Sequence, residues 1–269
     1  MLNRIKVLVK GIGFLIFNWN SKYEAQESSP QPGLILIVMS AANNLLIDEE
    51  RNYETGVFLN ELYLPIAELK NQGYKFQFAT PNGKQANIDP AGLNDRYWTS
   101  NELKSEAIEF TKTDPDFLKP ITLEKAMSQV SSYKGMIVPG GQGLMVDLIY
   151  DDNILSLLRK FHERQKPIGL ICHAPALLTA FPKNDNPFVG YNVNSVTSTE
   201  EWFIENFVMN GKPKIRKIAN LLSDIGLNYE SSFFPGGQYA VRDRNLITSQ
   251  NPFSGEPFIK LYQEALLDK

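Results

Sequence analysis

One stretch constrains this chain more than any other: residues 166–179, KPIGLICHAPALLT. The run Pro-Ile-Gly-Leu-Ile has strand length and stops at Cys172, the only cysteine, which is followed by His173, one of two histidines. Ala174-Pro175 then opens an apolar segment, 176–180, that reads as a helix. A proline in the first turn fixes where such a helix begins. A reactive side chain at a sharp strand-to-helix turn is a nucleophile elbow. The turn lifts the side chain above the sheet, and the amides that follow face a forming thiolate or oxyanion with their partial positive charge. A lone cysteine is otherwise most often a buried small hydrophobe. The proline places Cys172 at the end of a strand and not inside one.

The rest of the chain supplies a frame for that turn. Residues 34–39, LILIVM, are a continuous apolar run, as in a parallel strand buried on both faces. In 55–70, Leu59, Leu62, Ile66 and Leu69 recur at helical spacing on one face. Pro65 predicts a kink or late restart there, and Gly73 the helix end. Further strands are expected at 74–79, 135–138, 168–171, 191–196 and 239–248, and helices at 121–130, 144–158, 200–207, 215–225 and 257–267. Residues 86–109 show no clear pattern. Strands alternating with helices mean βαβ units and a parallel sheet covered on both faces. Ligands of such sheets bind beyond the strands' carboxyl ends. Cys172 and the 139–143 loop, PGGQG, both lie at such ends and share one crevice. No GxGxxG follows the first strand and there is no GxxxxGK[ST], which disfavours dinucleotide and phosphate-loop folds.

With 269 residues, 43% of them apolar, the chain can fill one large α/β domain. That domain is expected over 34–269, after an arm and linker over 1–33. A net charge of −3 gives no general attraction to nucleic acid. One cysteine rules out an internal disulfide, and two histidines leave a zinc site short of its usual ligands, so no metal or cofactor is expected. A thiol that must stay reduced suits the cytoplasm. The first ten residues carry Arg4, Lys6 and Lys10, and 11–19, GIGFLIFNW, are apolar. The run is too short to span a bilayer and no small-x-small cleavage site follows. An arm packed on the body or on a second subunit is expected. The alternative is an exported or membrane-anchored chain touching the membrane through residues 1–20.

Few other residues can carry chemistry. Side chains of consecutive residues diverge at an elbow, so His173 need not hydrogen-bond Cys172 and can act on the substrate as acid or base. His162 lies in a charged helix face and reads as a solvated surface histidine. The glycines of 139–143, with the His173 amide, can form an oxyanion hole. Glu61 falls on the apolar side of its helix, where an acid is costly unless partnered or protonated, and by itself it reads as a helix-rim carboxylate reaching water. Glu200 and Glu201 follow Thr199, a candidate helix cap, and complement the helix dipole.

Taken in order, TGVFLNELYLP, GYKFQFATPNGKQANIDP, YKGMIVPGGQGLMVDL, PIGLICHAPALL and NLITSQNPFS resemble the ThiJ/PfpI superfamily. That group is related to the class I glutamine amidotransferase fold. The branch most similar is the larger one that holds glyoxalase III enzymes and heat-shock-type chaperones. The resemblance runs from Leu34 to the C-terminus and implies a flavodoxin-like three-layer sandwich. It also implies Cys172 as nucleophile, His173 as its neighbouring histidine and Glu61 as the helix-borne glutamate at the sulfur. Glu201 would orient the histidine, with Glu200 the lesser choice, and the amides of Gly141 and His173 would hold the oxyanion. The pattern departs at Ala174, usually glycine, where a methyl group would narrow the pocket or shift the turn. It departs again at Gln142, usually histidine. The implied function is glutathione-independent conversion of methylglyoxal or related 2-oxoaldehydes to 2-hydroxy acids, in a homodimer. The alternatives are a cysteine hydrolase (amidase, peptidase or deglycase) and a stress chaperone or thiol-redox sensor.

Overall fold

The computed structural model describes residues 33–268. The expected arm, except Gly33, lies outside them. In chain order come β1 (Leu34–Val38), a hairpin of β2 (Asn44–Ile47) and β3 (Arg51–Glu54), α1 (Leu59–Asn71) and β4 (Lys75–Thr80). There follow α2 (Asn101–Thr113), α3 (Pro115–Leu118), β5 (Ile121–Thr122), α4 (Leu123–Ser128), β6 (Tyr133–Val138), α5 (Asp152–Glu163) and β7 (Ile168–Ile171). The last third holds β8 (Asn192–Val193), α6 (Ser198–Phe203), α7 (Ile218–Asp224), β9 (Asn228–Tyr229), β10 (Ala240–Asp243), β11 (Leu246–Ser249) and α8 (Gly255–Leu267).

Seven strands form the main sheet in the order β10-β11-β7-β6-β1-β4-β5, all parallel except β10 against β11. Its five central strands follow the doubly wound order 2-1-3-4-5 of flavodoxin-like folds. The winding reverses between β1 and β6. Right-handed crossovers then place α1, after β1, and α5, after β6, on opposite faces. Residues Ile35 to Val38 and every residue of β7 are buried, as continuous apolar runs require under two helical layers.

The helix expected at 55–70 forms, and Pro65 does not interrupt it. Proline removes one N–H, whose partner would have been the Glu61 carbonyl. The buried Leu59, Leu62, Ile66 and Leu69 hold the remaining turns to the sheet. Gly73, at φ +87°, takes the left-handed position after the helix.

Several expectations need correction. The unpatterned 86–109 region runs into α2, where the Ser100 hydroxyl caps the Leu103 amide. The late strand of 239–248 is a hairpin, because Arg244 at φ +56° turns the chain between β10 and β11. Within 191–196, two residues pair as a strand. The segment after the elbow is a run of 3-10 turns, Ala174–Ala180, and not an α-helix. Among the described residues no helix is long and apolar enough to cross a membrane.

Candidate active site

The elbow is built by backbone. Cys172 sits at φ +58°, a left-handed conformation that costs a non-glycine residue about 1–2 kcal/mol. Two hydrogen bonds hold it there. Its amide donates to Ser249 O at 2.8 Å, and its carbonyl accepts from the Val196 amide at 3.0 Å. The side chain is 5% exposed and opens onto two cavities, of about 310 Å³ and about 80 Å³.

Glu61 reaches the sulfur from the first turn of α1. Its Oε2 accepts from the Gly140 amide at 3.0 Å, while the buried Oε1 makes no hydrogen bond of good geometry. The acidic neighbour of this carboxyl is the Cys172 thiol. Burial raises the Glu61 pKa to about 8, so the carboxyl keeps its proton at neutral pH. The approach requires glycine at 140. A Cβ there would lie 2.5 Å from Glu61 Oε2 and 2.9 Å from the Cys172 Cβ. Gly140 also accepts from the Phe58 amide at 3.1 Å, which ties the 139–143 loop to the start of α1.

His173 contacts the thiol, contrary to the expected divergence: its Nδ1 lies 3.2 Å from Cys172 Sγ. Side chains alternate only along extended backbone. A left-handed Cys172 followed by a helical His173 breaks that alternation. On the other side of the ring, His173 Nε2 lies 3.1 Å from Gln142 Nε2. An amide nitrogen only donates, so Nε2 is the acceptor and Nδ1 carries the proton that faces sulfur. Burial lowers the His173 pKa to about 4 and keeps the ring neutral. Burial and the Glu61 and Glu200 carboxylates push the Cys172 thiol well above its ordinary value, while the His173 amide opposes them. The empty site therefore rests as a thiol between a protonated carboxyl and a neutral imidazole. Gly141, at φ +105°, lines the smaller cavity with Cys172 and His173.

Glu201 does not join this group. Its Oε2 accepts from the Ile218 amide at 2.9 Å, at the start of α7. Burial, with Glu205 adding to it, raises its pKa to about 7. Both ring nitrogens of His173 have other partners, so no acid orients that ring. The reason is the helix start. Thr197, not Thr199, caps α6 in a capping box with Glu200. One residue further on, the side chain points roughly 100° round the helix. Glu200 is the one on the pocket side. Its Oε2 accepts from the Thr197 amide at 2.8 Å. Its Oε1 accepts from the Gly236 amide at 2.7 Å, Gln250 Nε2 at 3.1 Å and Asn251 Nδ2 at 2.8 Å. The sequence signal for this was present in TSTE, residues 197–200, which fits a capping box.

Three further expectations change. Ala174 is fully buried and lines neither cavity, so its methyl group does not narrow the pocket. Gln142 serves His173 directly. His162 is half-buried, packed edge-on against Phe188 and Tyr191, with Nδ1 3.2 Å from the Tyr191 hydroxyl. Among the described residues no group of three or more His, Cys, Asp or Glu side chains is placed to hold a metal ion.

A cysteine at a strained elbow, with a buried carboxyl against it and loop amides around one small cavity, defines a class: doubly wound α/β proteins with a cysteine set at the strand-to-helix turn. The chain matches the family described as ThiJ/PfpI family-like over residues 53–219, and it belongs to that family. A curated relative, the protein/nucleic acid deglycase HchA of Escherichia coli O1:K1, is 22% identical over 237 residues, covering 87% of this chain and 81% of the relative. Among solved structures, glyoxalase III from Candida albicans aligns with a TM-score of 0.69 at 17% identity, over 87% of this chain and 97% of its own. The rapid encystment protein of Francisella tularensis gives 0.69 at 23% identity, over 88% and 100%. These likenesses show a shared fold.

Proposed function

We propose that the chain converts 2-oxoaldehydes to 2-hydroxy acids without glutathione, using Cys172 as nucleophile. The observation that carries this reading is Glu61: a carboxyl at the sulfur whose pKa of about 8 suits a group that both takes and returns protons near neutral pH. The site reacts from its ionised form, the minority at neutral pH: the Glu61 carboxylate takes the thiol proton on Oε1 as sulfur adds to the aldehyde carbon, and Nδ1–H of His173 steadies the sulfur. The oxyanion rests on the amides of Gly141 and His173. Glu61 hands its proton to that oxygen, giving a hemithioacetal. It then takes the hydrogen of the same carbon and returns it to the neighbouring one, while His173 carries the hydroxyl proton across the enediol. One carbon is oxidised and the next reduced, so no external electron carrier enters. Water cleaves the resulting thioester, releasing the 2-hydroxy acid and the thiol.

The test is D-lactate formation from methylglyoxal by purified protein without glutathione, beside Cys172→Ala. Equal product from both proteins, or none from either, defeats the proposal. The deglycase name of the E. coli relatives favours a second reading, in which the same thiolate acts on a glycated amine. Release of free amine from a methylglyoxal-treated peptide, faster than methylglyoxal leaves it spontaneously, separates that activity from the first.

A further inference from the structure

The smaller cavity is lined by Cys172, His173 and Gly141, yet the same sulfur also opens onto the larger one. A three-carbon substrate leaves that space unused. The walls of the larger cavity include Val196, Trp202, Phe203, Ile204 and Phe253. Of the residues lining it, only Arg96 and Glu200 are charged. Glu200 is already bound by four donors: the Thr197 and Gly236 amides and the side chains of Gln250 and Asn251. Arg96 hydrogen-bonds the Tyr97 hydroxyl and lies over that ring, 4.5 Å from its centroid. The Glu200 carboxylate is thus satisfied, and Arg96 is exposed, so its charge stays in water at the rim and away from the apolar walls. Three aromatic side chains at the mouth remain in water: Trp202 is 55% exposed, Phe203 45% and Phe253 37%. Large apolar surface left beside a nucleophile is covered when an apolar group occupies the space.

We propose that this cavity receives an apolar substituent of the substrate, so that the site takes 2-oxoaldehydes bearing an aryl or branched alkyl group. The inference rests on the reaction proposed above. The chemistry balances as before: the aldehyde carbon becomes a carboxyl, the ketone carbon an alcohol, and one water is consumed. Discrimination comes from the substituent. Each methylene placed in an apolar pocket changes kcat/KM by about 10-fold or more.

The experiment compares phenylglyoxal with methylglyoxal on the full chain, reading mandelate and lactate. The expected result is a kcat/KM for phenylglyoxal at least about 10-fold higher. Trp202→Ser and Phe253→Ser, made separately on exposed rings, are each expected to erode that preference through KM. Equal rates, a preference for methylglyoxal, or an aryl preference untouched by both substitutions would overturn the inference. Turnover of methylglyoxal alone overturns it and leaves the reaction standing. Turnover of neither removes both.

Discussion

At Glu61 the same burial that raises the carboxyl pKa also ties its ionisation to that of Cys172. A Glu61 carboxylate raises the thiol pKa, and a neutral group in its place relieves that repulsion. Glu61→Gln is therefore expected to speed alkylation of Cys172 by iodoacetamide at pH 9, above the Glu61 pKa of about 8, while slowing turnover by about 10²–10⁴-fold, since the proton carrier is gone. The two rates moving together would contradict the role given to Glu61. Gln142→Glu sets a carboxylate against His173 Nε2 and favours the imidazolium. The acid limb of the pH–rate profile, set by a His173 pKa of about 4, should move up by about 1–3 units. Glu201→Gln keeps an acceptor for the Ile218 amide, and kcat/KM should stay within about twofold because the side chain touches nothing that reacts. Cys172 and His173 were legible in the sequence by type and position, whereas Glu61 read locally as a rim carboxylate and entered the site only through the family resemblance. Glu200 and Glu201 were not separable, because a one-residue error in the helix start exchanges which carboxylate faces the pocket.

The elements that matter here are turns more than helices. Pro-Gly-Gly after β6 and Cys-His-Ala-Pro after β7 both mark where a strand stops, so the two sides of the crevice were readable. The close fit between them was not. Glu61 Oε2 and the Cys172 Cβ both crowd the place where residue 140 would carry a side chain. Gly140→Ala is expected to displace Glu61 and lower kcat/KM by about 100-fold, with the fold checked by circular dichroism. A full-rate variant would mean that Glu61 need not sit where it does. The helices with one apolar face, α1, α7 and α8, were visible from periodicity. The α2 helix was not, because it buries only Ala107 and so leaves little stripe to detect. The β10–β11 hairpin hid because its turn residue, Arg244, is not one that announces a left-handed position.

For the whole molecule, the buried site sets a stability profile with pH. Glu61 has a folded pKa of about 8 against an ordinary 4.5. The stability this contributes is complete below pH 4.5 and is lost as pH rises through 8. His173 runs the other way, from 6.5 down to about 4. Its contribution is complete above pH 6.5 and is lost as pH falls through 4. Thermal melts should show Glu61→Gln more stable than the parent at pH 9 and no more stable at pH 5, so the reacting carboxyl is held at a cost to the fold. The sheet itself closes on short terms at both borders. One outer strand, β5, is two residues long, and the other, β10, has four. Two residues of that outer strand, Arg242 and Asp243, are engaged in ion pairs with Asp268 and Arg244. A border strand that is brief or charged offers little backbone for a stranger's strand to zip onto. That geometry argues that this chain, even with aromatic rings exposed around its crevice, resists edge-to-edge aggregation.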